Sequence, residues 1–263
     1  MGSSPTSSAT KNAVKTKNKI LLIVILAIIV FGAGWILILT YRDSIPIENL
    51  QTKNESASQQ ITVEDKKIID NTKPFKIDIT YPYIASLPEF NQKVEEIINK
   101  ETESFKTIAL ENDQAVKETD PESYAKYPRE YDLIFQYEKG LVKKDVVSIV
   151  FNISNYTGGA HGANYFISLN YNPETNKEIK LSDLFLNQPD YLQTISGYCI
   201  KDLKKQIQEI TGDDGGAWIE TGAGPLEENF SIFLINKDSI TFYFPQYQVA
   251  AYALGSFKVT MPK

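Results

Sequence analysis

Histidine and cysteine occur once each in these 263 residues, and methionine and tryptophan twice each. A zinc site built from Cys and His needs three or four such ligands, so that chemistry is excluded. One cysteine also rules out a disulfide within the chain. Surplus positive charge is missing as well, with 27 basic residues against 33 acidic ones. Four of the bases, Lys11, Lys15, Lys17 and Lys19, stand in the first forty residues, which hold no acid; the remainder has 23 bases against 33 acids, a net −10. Such a body repels phosphate backbones, and nucleic acid is not an expected partner. The acid spacing of an EF-hand is absent, so Asp213-Asp214-Gly215-Gly216 reads as a solvated loop and no metal is expected. No Gly-x-Ser-x-Gly nucleophile motif occurs, and no cofactor is expected.

What is present begins with an apolar run. Ile20 to Leu39 carries no charge over twenty residues. As a helix rising about 1.5 Å per residue it is roughly 30 Å long, the thickness of a bilayer's hydrocarbon core. Trp35 and Tyr41 stand toward its outgoing end, where amphipathic rings favour the interface. A cleaved signal peptide ending at Gly32-Ala33-Gly34 is the rival reading, but its apolar region is usually only about 7–15 residues long. The run therefore reads as a membrane anchor contacting the bilayer through Ile20 to Leu39. Four lysines precede it, and Arg42 after it is offset by Asp43 and Glu48. The positive-inside rule then predicts a single-pass cell-membrane protein with residues 1–19 as a cytoplasmic tail and 20–40 as the span. Residues 41–73 are polar and read as a flexible linker, and 74–263 as an extracytoplasmic domain with halves at 74–155 and 156–263.

Within that domain the periodicity changes repeatedly. Phe75, Ile77, Ile79 and Tyr81 alternate, predicting a strand closed by Pro82. Phe90, Val94, Ile97, Ile98, Phe105 and Ile108 follow helical spacing, for about five or six turns. Ala109 to Pro128 is charged and reads as a loop. Tyr131–Tyr137 and Val147–Ile153 alternate about a turn at Gly140, and Tyr165–Tyr171 repeats the pattern before a short strand near Ile179. Ser182 is placed to cap a brief helical turn. Leu192 to Ile210 then advances by three or four, with Gly212 at the C-cap and Cys199 on the apolar stripe. A Gly-rich loop, Asp213 to Pro225, precedes strands at Phe230–Leu234, Ile240–Phe244 and Phe257–Met261. Short links predict antiparallel pairing, and strands broken by two long helices predict an α+β fold: one antiparallel sheet with two main helices packed on it.

Three segments carry a family resemblance. Tyr156-Thr157-Gly158-Gly159-Ala160-His161-Gly162, between two strands, resembles the hallmark of the extracytoplasmic region shared by RsiV-type anti-sigma factors and PdaC-type peptidoglycan deacetylases. Ile179-Lys180-Leu181-Ser182-Asp183-Leu184-Phe185 is similar to that region's helix entry, and Phe242 to Gly255 to its C-terminal signature. The resemblance covers Pro74 to the end. It implies an α+β domain outside the cell that binds lysozyme in the anti-sigma factors and accompanies a catalytic domain in the deacetylases. Nineteen cytoplasmic residues are too few for a sigma-binding domain, and no deacetylase domain is expected after Lys263.

The candidate contact residues are Tyr156, Thr157, Gly158, Gly159, His161, Tyr247 and Tyr252. A histidine in a glycine-rich turn can serve as a general base, contact a ligand or simply hydrogen-bond locally while Gly158, Gly159 and Gly162 supply positive φ. The tyrosines offer flat apolar bodies with polar tips, suited to interfaces and to stacking on sugars, or they cover a sheet edge while Phe242 and Phe244 fill the core. No catalytic residue is assigned. The expected function is a non-enzymatic envelope-binding or sensory domain whose partner is a lysozyme-like cationic protein or peptidoglycan. The alternative is a deacetylase-related enzyme or its accessory subunit.

Overall fold

Nine strands form two sheets in the computed structural model, which describes residues 61–127 and 129–263. The tail, the membrane run and most of the linker lie outside the described residues. Among the described residues no helix is long and apolar enough to cross a membrane.

The first sheet runs β1-β2-β3-β4-β5-β6: Glu64–Asp70, Phe75–Tyr83, Tyr131–Val142, Val147–Tyr156, Ala163–Asn172 and Lys177–Glu178. The structured part thus begins inside the stretch read as linker. β1 is Glu-Asp-Lys-Lys-Ile-Ile-Asp, exposed almost throughout, so no alternation marks it. β2 continues through Pro82, which pairs with Asp65. Its pairing with β3 ends at Ile79, so Pro82 interrupts no ladder on that side.

One pairing departs from the antiparallel expectation: β2 and β3 are parallel. A parallel pair needs a long crossover, and helix α1, Pro88–Thr119, supplies it. Phe90, Val94, Ile98, Phe105 and Ala109 form the helix's buried stripe over Ile77, Ile79, Leu133 and Phe135. Asn91 locks the corner, its Nδ2 donating to Ile84 O at 2.8 Å and its Oδ1 accepting from Ile84 N at 2.9 Å. Pro88 begins the helix with a preset φ, where a missing N–H costs nothing. The helix lasts 32 residues, well beyond the apolar stripe and through the segment expected to be a loop. Ala, Glu, Gln and Lys there are strong helix formers, and charge alone does not break a helix. Asp120 then caps the short α2, Pro121–Lys126, accepting from Ser123 N at 3.1 Å.

The chain reverses between β3 and β4 at Lys143–Val146, not at Gly140, which sits inside β3. A Cβ on Gly140 would lie 2.4 Å from Ile235 O, so the glycine admits a neighbouring strand rather than turning its own.

That neighbour belongs to the second sheet, β7-β8-β9: Phe233–Ile235, Ser239–Phe244 and Phe257–Pro262. Helix α3, Tyr191–Thr211, covers one of its faces through Ile195, Cys199, Leu203 and Ile207, and ends on Gly212 at φ 80°. The other face turns Leu234 and Tyr243 onto Val150 and Phe166 of the first sheet. β8 is therefore buried on both sides, which accounts for the consecutive Phe242, Tyr243 and Phe244. Tyr243 is inside this contact rather than on a sheet edge, while Phe242 and Phe244 fill the core.

Polar groups stitch the sheets together. Ser148 Oγ accepts from Ile235 N at 2.7 Å and donates to Asn170 Oδ1 at 2.5 Å, and Asn170 Nδ2 donates to Phe233 O at 3.0 Å. Buried polar groups persist only when so satisfied. The result is α+β, as expected, but with two sheets; one core gathers buried residues from Ile77 to Tyr171 and the other from Leu181 to Val259. The 3-10 turn Leu181–Leu184 is capped through Lys180 N donating to Asp183, not by Ser182. The Gly-rich loop contains a further helix, α4, Gly216–Gly222.

Candidate functional site

The face of the first sheet away from α1 is covered by the second sheet at one end and bare at the other. Alternation puts Asp132 and Ile134 of β3, Asn152 and Ser154 of β4 and Asn164 of β5 on the bare end. The register confirms the layer: Asp132 faces Tyr156, Ile134 faces Ser154, and Ser154 faces Asn164. Asn164 Nδ2 donates to Asn152 Oδ1 at 2.7 Å and to Ser154 Oγ at 2.9 Å, fixing these side chains as a floor.

The loop after β8 forms the roof. Gln246 Oε1 accepts from Asn164 N at 3.1 Å, and Tyr252 donates its hydroxyl to Gly162 O at 2.8 Å. Between floor and roof lies a groove of about 290 Å³, lined by Asp132, Ile134, Ser154, Tyr156, Asn164 and Tyr252 among others.

An aromatic row continues outward from this mouth. The imidazole of His161 stacks on Tyr252 with centroids 3.9 Å apart, and Tyr247 tilts against Tyr252 at 5.6 Å. Trp218 of α4 donates Nε1–H to Tyr247 O at 3.0 Å. Tyr247 and Trp218 are 57% and 46% exposed, enough to present ring faces to solvent. The row is positioned by close backbone packing: a Cβ on Gly222 would fall 1.8 Å from Gln248 O. Gln248 in turn donates to Gly222 O at 2.8 Å and Asn229 O at 3.0 Å, and Tyr247 is held at φ 70°.

The sequence-nominated residues separate by role. Tyr156, His161, Tyr247 and Tyr252 gather at the groove and its rim. Thr157 and Gly158 face the opposite way: Thr157 O accepts from Asn112 Nδ2 at 2.9 Å and Gly158 O from Arg129 Nη1 at 3.2 Å. Of the three loop glycines expected at positive φ, only Gly158 adopts it, at 96°. Gly159 is exposed at the loop tip. Gly162 matters for space instead, since a Cβ there would meet Asn155 O at 2.7 Å.

Sequence reasoning missed the floor, Trp218 and Gln246. The available signal was chemical: the outward positions of β4 and β5 carry Asn and Ser, which strands disfavour, rather than ordinary surface Lys or Thr. Among the described residues no cluster of three His, Cys, Asp or Glu side chains could hold a metal ion. The contacts of His161 are Tyr252 and, through Nδ1, Gly162 O at 2.9 Å. Cys199 is fully buried, and burial pushes its thiol up to about 12. Chemically, amides and a carboxylate beside stacked rings suit a neutral, hydroxyl-rich ligand with an apolar face.

Comparison with known proteins agrees with this architecture. A family model described as Deacetylase PdaC matches residues 68–164, and one described as a protein of unknown function, DUF3298, matches residues 182–263. The chain is 30% identical over 223 residues to the peptidoglycan-N-acetylmuramic acid deacetylase PdaC of Bacillus subtilis, covering 85% of this chain and 45% of that one. It is 27% identical over 128 residues to an esterase of Mycobacterium tuberculosis, covering 49% and 54%. It thus spans about half the length of the curated relatives it matches. A DUF3298 family protein from Pseudomonas aeruginosa shares the fold, with a TM-score of 0.55 at 13% identity over 78% of this chain and 92% of that one. The folded part of this chain is a domain of the PdaC/DUF3298 type.

Proposed function

We propose that this domain is a non-catalytic binding module of the bacterial cell envelope, held to the membrane through Ile20 to Leu39, and that its groove takes a glycan strand of peptidoglycan. The observation carrying this reading is the stack of His161 on Tyr252 at the rim of a groove lined by Ser154, Asn164 and Gln246. Sugar rings have apolar faces that pack on aromatics and equatorial hydroxyls that exchange hydrogen bonds with amides, and the groove offers both. The name of the Bacillus subtilis relative, a peptidoglycan deacetylase, supports the same ligand class. The test is co-sedimentation of the full chain, in mild detergent, with insoluble peptidoglycan. Binding that falls in Tyr252→Ala supports the proposal, and a protein left entirely in the supernatant refutes it.

Two other readings each have one supporting observation. The −10 charge after residue 40 suits a cationic protein of the lysozyme kind, and such binding would weaken steeply between 50 and about 300 mM salt. The names of the curated relatives, a deacetylase and an esterase, favour an enzyme or its accessory subunit. Acetate released from peptidoglycan by the purified chain would establish that one.

A further inference from the structure

β1 is the outer edge of the first sheet, and among the described residues it pairs only with β2. Edge strands leave a row of backbone donors and acceptors open to another strand, and proteins ordinarily guard them with charge, proline or bulges. β1 carries charge in Glu64, Asp65, Lys66, Lys67 and Asp70 but no proline or register shift, and it leaves Ile68 and Ile69, on opposite faces of the strand, 40% and 64% exposed.

We propose that β1 is a homodimer interface, in which two copies of this chain pair antiparallel about a twofold axis through Ile68 and join their six-stranded sheets edge to edge. The register follows from symmetry and charge. A twofold axis normal to the sheet keeps every side chain on its own face, so only registers centred on a residue are allowed. Centring on Lys66 or Lys67 sets that lysine against its own copy, and the Lys67 register also opposes Glu64 to Asp70. Like charges directly opposite destabilise a pair. Centring on Ile69 opposes Ile68 to Asp70 and forms no ion pair. Centring on Ile68 sets Ile68 on Ile68 and Lys66 on Asp70 twice, with Lys67 beside Ile69.

The side chains are already disposed for this. Lys66 lies over the ring of Tyr83, its Nζ 3.2 Å from the centroid, and Asp70 sits 3.6 Å from Lys106 on the same face. A partner's Lys66 therefore adds to a carboxylate that is accessible and already held, with Thr72 N donating to it at 2.8 Å.

Single-cysteine cross-linking of the full chain in membranes tests the register, because Cys199 is buried and silent. In the Ile68 register the two residue-68 Cβ atoms are about 5 Å apart, while those at 69 are diagonal, about 7–8 Å apart and beyond disulfide reach. Under mild oxidant, Ile68→Cys should give a disulfide dimer as its major species and Ile69→Cys at least fivefold less. Adding Lys66→Asp to Ile68→Cys should abolish the dimer, and adding Asp70→Lys as well should restore it. An Ile68→Cys protein that stays monomeric, equal or stronger linking at Ile69→Cys, or indifference to the charge reversal would each overturn the proposal.

Discussion

His161 lies flat on Tyr252, centroids 3.9 Å apart with an interplanar angle of 29°, although one belongs to the turn between β4 and β5 and the other to the loop after β8. Gly162 O ties them, accepting from the Tyr252 hydroxyl while facing His161 Nδ1. Two distant chain segments thus meet through a ring stack and a shared carbonyl, and the groove exists only when both halves of the domain are folded.

Tyr252→Phe separates the ring from the hydroxyl. It keeps the stack and should leave peptidoglycan binding within about twofold, while the lost hydrogen bond costs about 1 kcal/mol of stability. Tyr252→Ala should weaken binding by roughly two- to thirteenfold, in line with about 0.5–1.5 kcal/mol for an aromatic contact. Co-sedimentation gives the first quantity and urea midpoints the second.

Gly222→Ala should act on the rim without touching a ligand. Its methyl group would be driven against Gln248 O, displacing the loop that carries Tyr247. The expected cost is about 1–3 kcal/mol, with increased exposure of Trp218 as the Nε1 bond to Tyr247 O is lost. Trp fluorescence and denaturant titration check this; an unchanged emission and midpoint would contradict it.

Asn170→Ala should loosen the joint between the sheets. It strips Phe233 O of its donor and leaves the Ser148 hydroxyl without an acceptor in a buried setting. Unsatisfied buried groups cost about 1–3 kcal/mol each, so a loss of about 2–6 kcal/mol is expected in urea unfolding. Asn170→Asp would not repair it, because a carboxylate cannot donate to a carbonyl.

Alkali should destabilise the fold. Burial first, then hydrogen bonds to carboxylates, hold the phenols of Tyr131, Tyr137, Tyr165 and Tyr243 above their usual range, their partners being Asp113, Asp65, Glu101 and Glu138. Cys199 is likewise raised, to about 12, chiefly by burial. A raised folded value means the folded state holds its proton more tightly. The thiol's contribution is therefore complete below pH about 9 and the phenols' below about 10, and both fade as pH climbs toward the folded values. Urea midpoints should be flat between pH 7 and 8.5 and fall steadily above 10. At pH 8 a thiol reagent should label Cys199 only after unfolding.

Much of this architecture was legible because burial writes a period into the chain. α3 and the alternating cores of β3, β4 and β5 were recognisable from their apolar spacing, and Gly212 marked the helix end. β1 was invisible since an edge strand exposed on nearly all sides needs no alternation. The second half of α1 was misread as a loop because its role is polar: Asp113 accepts from Tyr124 and Tyr131, and Asn112 anchors Thr157. The parallel β2–β3 pair followed from the helix between them, which short-link reasoning overlooked. At the groove, the glycine-rich turn and the tyrosine loop announced themselves separately. Their meeting did not, for no local signal encodes a contact between segments this far apart.

Gly140 leaves no room for even a methyl group where β7 crosses β3. The groove's floor comes from one sheet and its roof from the loop following the other, so their separation sets its aperture. A bulkier residue at 140 should push β7 away from β3 and so alter the groove's width without changing any residue that lines it.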